Sequence, residues 1–428
     1  MKNVVNRALV AKKKSLLTLL AAICCTTLSL NAEAIYGTCG ANMEWTFNTG
    51  SGALYLTGTG PMDDYSTTTA TPWAAYAQQI IKIYVDGDKS QYTSFGRNAF
   101  NECKNLEAVE MPNTVVKIGE AAFRYCTKLA TINMSTALTD IGYNAFNSCY
   151  SLTKITIPNS VLSIGSIAFI GCSGLTTVTI PAKVNMIGAG AFAACDKLTS
   201  INVYATSPYY RSEGGVLYSN NKTLLHQVPA GLTGEFHVPD GVTTVNAYAF
   251  YRCNKLADIS MPTSVTSIGN YAFHFCLFES IEIPEGVTSL GYSAFYACTK
   301  LAKVILPSTL QNLGPGVFYL CTALTSVTCK ATTPPTCSVS VFQDVDLSAC
   351  KLYVPQSAVD DYKAADQWKD FGDNILPITT TAIDQLNHQS PYGDSRSEEI
   401  TNYKSVKDGV LLIHHGNQIF DARGARVE

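Results

Sequence analysis

The chain has 428 residues, of which 46% are hydrophobic and only 15% charged, with a formal net charge of −3. That balance excludes an intrinsically disordered protein, which needs few apolar groups and much charge. The basic residues are scattered apart from one N-terminal group, so the clustered Lys and Arg of a phosphate-binding surface are missing and no nucleic-acid partner is expected.

In chain order, the first element is a targeting segment. Lys2, Arg7 and Lys12 to Lys14 precede an apolar run from Leu16 to Leu30, and Ala32-Glu33-Ala34 supplies an A-x-A cleavage pattern. The run carries Cys24, Cys25, Thr26, Thr27 and Ser29 and falls short of the ~20 residues that span a bilayer, so residues 1–34 read as a signal peptide and not an anchor. Its removal leaves 25 basic and 32 acidic side chains, a net charge of −7. No later run is long enough to cross a membrane, and a secreted or cell-surface protein is expected.

An internal repeat organises most of the remaining chain. An Ala/Val-Phe-x-x-Cys unit ends at Cys103, Cys126, Cys149, Cys172 and Cys195, then at Cys253, Cys276, Cys298 and Cys321, in steps of 22 or 23 apart from one gap of 58. Each unit runs Leu-x-x-Ile-x-Ile-Pro, Val-x-x-Ile-Gly, Ala-Phe-x-x-Cys; one copy is Leu152, Ile155, Ile157, Pro158, Val161, Ile164, Gly165, Ala168, Phe169 and Cys172. Ile155 and Ile157 alternate with Thr156, the period of a half-buried strand, and Pro158 ends it because proline has no N–H for a ladder. Val161 and Ile164 begin a second short extended segment closed by Gly165, and Ala-Phe-x-x-Cys suits one helical or 3₁₀ turn with the Phe inward. Such a unit has nothing to pack on except its neighbours. Stacking at about 4.8 Å is therefore forced, and about ten coils make a β-rich solenoid near 50 Å long.

This unit resembles the BspA-like, Treponema-type leucine-rich repeat of bacterial surface proteins. The resemblance implies a right-handed leucine-rich-repeat rod over residues 80–355, with short strands and one helical or 3₁₀ turn per 23-residue coil. Tyr36 to Gly40, Trp45-Thr46, Leu54 to Gly60 and Pro72-Trp73 look like the family's N-terminal cap, residues 35–79, with a hairpin of Met43–Phe47 and Ala53–Thr57. Thr332 to Pro335, Lys351 to Pro355, Tyr362 to Ala365 and Trp368-Lys369 look like its C-terminal cap, completed by residues 356–378 with a short helix near Ser357 to Ala365. Caps cover the apolar ends that an open solenoid would leave to water.

Two stretches break the pattern. Residues 204–235, with Gly214 to Tyr218, Asn220-Asn221 and Thr223 to Val228, read as an inserted β-hairpin projecting from one coil. Residues 379–410 are polar and read as a linker, followed by a tail at 411–428. Ile419 to Val427 within that tail resembles the start of a sorting tail of exported Bacteroidetes-type proteins.

No chemistry of catalysis emerges. Metal binding needs ligands that converge, whereas a repeat column of cysteines points them in parallel. The nine ladder cysteines therefore read as small buried core groups, while one pair among Cys329, Cys337 and Cys350 could close as a disulfide. His226, His237, His274, His388, His414 and His415 carry no metalloprotease or nucleophile signature, and Gly188-Ala189-Gly190 lacks the third Gly of a nucleotide loop. Nothing brings Glu110, Glu279 and Glu282, or Asp361 and Asp366, together as catalytic carboxylates. No cofactor and no enzyme activity are expected.

What remains is surface. Glu110, Asn133, Thr156, Thr179, Asn202, Ser260, Glu282, Ile305 and Thr328 should form one outward column, with Thr and Ser of the second segment forming another. Tyr248, Tyr251, Tyr271, Tyr292, Tyr296 and Tyr319 lie beside the Phe turns, with Tyr125 and Tyr143 earlier. They either pack along the rod with wet hydroxyls or form a recognition strip. Tyr209, Tyr210, Arg211 and Tyr218 of the insertion are a second candidate, since a projecting loop has little core duty. The expectation is a non-catalytic adhesion protein for host or matrix proteins, with glycan binding or an envelope scaffold as the alternative.

Overall fold

The computed structural model describes residues 33–86 and 91–379, and the backbone of three strands between 402 and 421. The expected signal peptide lies almost wholly outside these residues. Two compact units divide between Pro377 and Ile378. The larger is a β-solenoid of about 13 turns with little helix.

Each coil contributes to two parallel ladders. The first runs through segments such as Lys82–Val85, Ala108–Glu110, Thr131–Asn133, Thr177–Ile180 and Ser200–Val203; the second through Gln91–Phe95, Lys117–Ile118, Asp140–Ile141, Ser163–Ile164 and Met186–Ile187. Register between neighbours follows the repeat, with Val109 beside Ile132 and Ile118 beside Ile141. The alternation places one apolar residue inward and its neighbours outward, as in the buried Val178 and Ile180 flanking exposed Thr179. Ile155 and Ile157 are buried as expected, but that segment joins no ladder.

The Ala-Phe-x-x-Cys segment differs from the expected helical turn. Ala121 and Tyr125 sit in the left-handed region at φ 51° and 57°, and the same two positions are left-handed in coil after coil, from Asn98 and Glu102 to Gly316 and Leu320. As a result every second N–H points along the rod. Those of Ala121, Phe123 and Tyr125 donate to the carbonyls of Tyr143, Ala145 and Asn147 in the next coil, at 2.8–2.9 Å. The intervening N–H groups of Ala122, Arg124 and Cys126 bond back to Gly119, Ala121 and Phe123. The segment thus turns a corner and acts as a third ladder at once. Left-handed backbone costs an L-residue about 1–2 kcal/mol, so the alternation persists only because the ladder bonds over-determine it.

Inside, the phenylalanines stack. Trp73, Phe100, Phe123, Phe146, Phe169 and Phe192 form one run with ring centroids 4.9–5.6 Å apart. Phe250, Phe273, Phe295, Phe318 and Phe342 form a second at 4.8–5.7 Å. Beside them the thiols of Cys126, Cys149, Cys172 and Cys195 donate to the carbonyls of Phe100, Phe123, Phe146 and Phe169 at 3.1–3.3 Å. Cysteine is therefore a buried apolar residue that also supplies one weak donor across these coil boundaries.

Tryptophans close both ends. Trp73 lies flat on Phe100 and donates Nε1–H to the Ala99 carbonyl at 2.9 Å. Trp368 meets Phe342 edge-on and donates to the Pro335 carbonyl at 2.8 Å. The N-terminal cap is a three-stranded antiparallel unit, Ala34–Gly40, Met43–Asn48 and Ala53–Pro61. Its last strand splits: residues 53–56 pair with Lys82–Val85 and residues 59–61 with Gln91–Phe95, so one strand starts both ladders. The C-terminal cap adds Lys351–Val354, the helix Val359–Ala364 and the last strand Ile375–Pro377. Cys329, Cys337 and Cys350 are free thiols there, and Tyr362 Oη donates to the Ala331 carbonyl at 3.0 Å.

The insertion does not project. Tyr210–Glu213 and Val216–Ser219 form a hairpin, and Leu224–Gln227 pairs both with it and, in parallel, with Thr244–Val245 of the next coil. Val228 occupies the Phe position of this coil, donating its N–H to the Ala249 carbonyl as Phe100 does to Ala122. The stretch read as a hairpin excursion thus contains a complete coil, and Gly234–His237 already belongs to the first ladder of the following one. Val216, Leu217 and Tyr218 are buried because the strand faces core on both sides.

In the second unit, Asn402–Lys407, Val410–His415 and Gln418–Asp421 form an antiparallel meander. Its first strand falls within the stretch 379–410 read as linker; the polar composition of 387–399 hid a short strand that begins only at Asn402.

Candidate recognition surface

The residue two before each ladder Cys follows an inward Phe and alternates away from it; it is buried at Asn101, Ala193 and His274 and half-buried at Arg124, Asn147, Ile170, Tyr251, Tyr296 and Tyr319. In the first half of the rod this position holds Asn101, Arg124, Asn147, Ile170 and Ala193; in the second half it holds Tyr251, His274, Tyr296 and Tyr319. Spacing by the coil repeat stacks them. Tyr251 lies on His274 at 5.0 Å and 7°, His274 on Tyr296 at 4.5 Å and 8°, and Tyr296 meets Tyr319 edge-on at 5.1 Å.

A second row runs alongside. Tyr248 stacks on Tyr271 at 4.8 Å, and Tyr271 meets Tyr292 edge-on at 5.1 Å. Tyr248–Tyr251 at 5.5 Å and Tyr271–His274 at 5.4 Å tie the rows together. Six of the ten sequence-selected residues thus form one aromatic strip. The sequence reading missed two of its members: His274, buried at the centre, and Phe275, which is 38% exposed. His274 could have been found by aligning the repeat copies, since it stands in the column of Tyr251, Tyr296 and Tyr319; Phe275 stands one position later, where the other coils hold none of the strip's rings.

The strip is apolar, neutral and half-wet. Tyr292 is 45% exposed, while Tyr248, Tyr251, Tyr271, Tyr296 and Tyr319 are half-buried. Burial pushes the Tyr248 hydroxyl up to about 12, with the neighbouring Tyr271 adding to it, and raises Tyr251 and Tyr271 in the same direction. Burial lowers His274 to about 4, partly offset by its ring nitrogen against the Ser293 carbonyl at 3.4 Å. Tyr248, Tyr251, Tyr271 and His274 are therefore held neutral, with the Arg252 charge beside Tyr251, and the face offers ring contact and hydroxyl hydrogen bonds.

The insertion candidates separate into two kinds. Tyr209 and Arg211 are exposed. Tyr218 is buried and its hydroxyl is raised by desolvation, so it is a core residue, because the hairpin lies in the rod instead of standing off it. Tyr210 is half-buried, accepts the Ile187 N–H at 2.9 Å on its hydroxyl and packs edge-on against His226. It holds the rod together. Thr328, expected outward, is buried between the neighbouring Ile305 and Tyr353 of its ladder.

Groups that invite a chemical reading are held in structural contacts. His226 is turned inward to the Ile187 carbonyl at 2.9 Å, and His237 faces Ser260 Oγ at 2.7 Å on the first ladder. Glu282 pairs with Lys330 at 2.9 Å and Asp366 with Lys369 at 2.7 Å. Among the described residues no group of three or more His, Cys, Asp or Glu is placed to hold a metal ion. No helix among them is long and apolar enough to cross a membrane.

Against known proteins, the sequence profile of the BspA type leucine-rich repeat region matches six copies over residues 93–212 and 232–350. The chain belongs to that family. A solved leucine-rich repeat protein from Eubacterium ventriosum is 29% identical, with a TM-score of 0.66 over 75% of this chain and 84% of the other. A leucine-rich cell surface protein from Faecalibacterium prausnitzii is 25% identical, with a TM-score of 0.50 over 71% of this chain and 96% of that one. The pneumococcal vaccine antigen PcpA, 18% identical with a TM-score of 0.54 over 81% and 98%, shares the fold. No curated protein matches the chain. Members of this BspA-type repeat family are bacterial surface proteins, and the solenoid is generally a non-catalytic scaffold for protein interaction.

Proposed function

We propose that this is an exported, surface-displayed adhesion protein that binds extracellular host or matrix proteins through the aromatic strip on its second half. The observation that carries the reading is the continuous double row from Tyr248 to Tyr319, built on turns whose inward duty is already met by the Phe column. Nothing in the packing of the core requires rings at these positions, since Asn101, Arg124 and Asn147 stand in the equivalent places of the first half. Tyrosine supplies large, rigid, amphipathic contact area at low entropic cost, which favours it at recognition surfaces. The mildly acidic chain also suits a protein partner over an anionic polymer.

The test is binding of the chain lacking residues 1–34 to a panel of immobilised matrix and host glycoproteins, with a glycan array in parallel. Replacing Tyr271, Tyr292 and Tyr296 by Ala should weaken protein binding by roughly tenfold or more per anchor residue. Replacing Asn101, Arg124 and Asn147 should leave it unchanged. Binding confined to the glycan array would transfer the strip to the carbohydrate reading, and binding unaffected by all three tyrosine changes would sink the assignment of the site.

A further inference from the structure

The solenoid contains a seam that runs through a single coil, where both ladders, the ring stack and the thiol bonds are each interrupted. At ordinary boundaries a ladder break is isolated: the first ladder is interrupted around residues 155–157 and again between Leu256–Ser260 and Ser280–Glu282, yet the second ladder, the ring stack and the thiol bonds continue there. Within the coil that carries the insertion all four are interrupted, the first ladder joining it only to the preceding coil and the second only to the following one. Met186–Ile187 does not pair with Leu224–Gln227, nor Ser200–Val203 with Gly234–His237. Val228 replaces the Phe between Phe192 and Phe250, and Gly231 takes the place of the Cys. Gly231 is obligatory, because a Cβ there would lie 2.4 Å from the Leu198 carbonyl oxygen.

The core divides at the same point. One buried cluster runs from Cys39 to Leu217 and a second from Val216 to Ile375, so the strand Val216–Ser219 is a partition between two interiors. Its alternation makes this possible, with Leu217 facing one way and Val216 and Tyr218 the other.

Side chains and two isolated backbone bonds span the seam in place of the ladders. Ile187 would have an orphan N–H and C=O; Tyr210 Oη accepts the first at 2.9 Å and His226 Nε2–H donates to the second at 2.9 Å. Asp196 accepts from Arg252 at 3.1 Å, and its carbonyl accepts from Lys255 Nζ at 2.7 Å. The Ile201 N–H donates to the Gly215 carbonyl and the Gly231 N–H to Leu198, each at 2.8 Å. Tyr248 crosses over and packs on Gly190, where a Cβ would come within 2.9 Å of its ring. The half-buried ion pair is a single contact, and the remaining bonds are few compared with the ladders they replace.

We propose that this seam is a built-in parting line, so that residues up to 203 and residues from 224 onward open and unfold as two cooperative units tethered by the hairpin, with the Tyr210–Ile187–His226 clasp holding them shut. Quasi-one-dimensional repeat arrays lose cooperativity where the neighbour interface is weakest, and all interface terms are minimal here. Parting would also carry Tyr248 away from Gly190, which couples the seam to the first ring of the aromatic strip. The proposal stands whether or not that strip binds a protein.

The experiment is hydrogen exchange followed by mass spectrometry on the chain lacking residues 1–34, in the wild type, in Tyr210→Phe with Asp196→Ala, and in Cys172→Ala as an ordinary-boundary control. The clasp variant should lose about tenfold protection in peptides covering 184–203 and 224–253, with peptides over 108–133 and 303–329 unchanged, and limited proteolysis should cut within 204–223. Cys172→Ala should produce no such cut. If the clasp variant does not fold, wild-type exchange in graded urea serves instead: amides before 203 and after 224 should open at two distinct concentrations. A single opening event shared by both halves, or protection lost evenly along the rod, would refute the parting line.

Discussion

Phe169→Ala tests the stacking argument most directly. The ring is fully buried, 5.1 Å from Phe146 and 5.4 Å from Phe192, with interplanar angles of 5° and 2°. Removing it deletes a large apolar group from a site whose walls are the neighbouring coils, and those walls are pinned by the ladder bonds of Phe169 N–H to Ala191 and Phe146 N–H to Ala168. Little collapse is possible, so the loss should lie at the high end of the Phe→Ala range, about 4–5 kcal/mol. Phe169→Leu keeps most of the volume and loses the two ring pairs, which predicts a smaller loss of about 1–3 kcal/mol. Urea unfolding monitored by far-UV circular dichroism, with exchange to localise the effect, measures both. The loss should be concentrated in coils from Phe123 to Phe192, since each coil touches only its neighbours. A Phe169→Ala loss under about 1.5 kcal/mol would mean that the ring is not a structural column, and the forced-stacking argument would fall with it.

Three further outcomes are expected from the same geometry. Burial holds His226 down to about 4 from an ordinary 6.5, so between those values the unfolded chain binds more protons than the native one. This contribution to stability is complete above about pH 6.5 and is lost as pH falls toward 4, by about 3 kcal/mol in all; His226→Gln, which keeps a donor for Ile187, should flatten part of the slope in urea midpoints against pH, with His274, lowered in the same window, carrying the rest. The ladder thiols are buried and raised by desolvation, Cys103 to about 12, so Ellman's reagent at about pH 8 should modify them only after unfolding, and fast labelling of the native chain at Cys149 or Cys276 would contradict the buried column. Gly190→Ala places a Cβ against Tyr248 at a φ of 66°, which should cost about 1–3 kcal/mol and expose the Tyr248 ring to solvent, read by fluorescence quenching and thermal unfolding.

The repeat itself was legible because its determinants are local and periodic. Alternation at Val178 and Ile180, a Pro after the strand and a regular spacing of Phe and Cys are enough to dictate a strand, a corner and an inward ring, and nine copies dictate stacking. The tyrosine columns were legible for the same reason, as they inherit the coil spacing. What sequence could not supply was direction and partnership at the irregular coil. Tyr210 and Tyr218 sit on the two strands of one hairpin with the same residue type, yet one clasps Ile187 and the other fills a core. That difference depends on which side of the hairpin meets which half of the rod, a contact between residues far apart in the chain. The left-handed pair in each turn was hidden likewise, since Ala121 and Tyr125 are poor advertisements for that conformation and adopt it only because carbonyls of the next coil are waiting for their N–H groups. Sequence periodicity determined the coil; the stacked neighbours decided its corners, its seam and the face it shows to a partner.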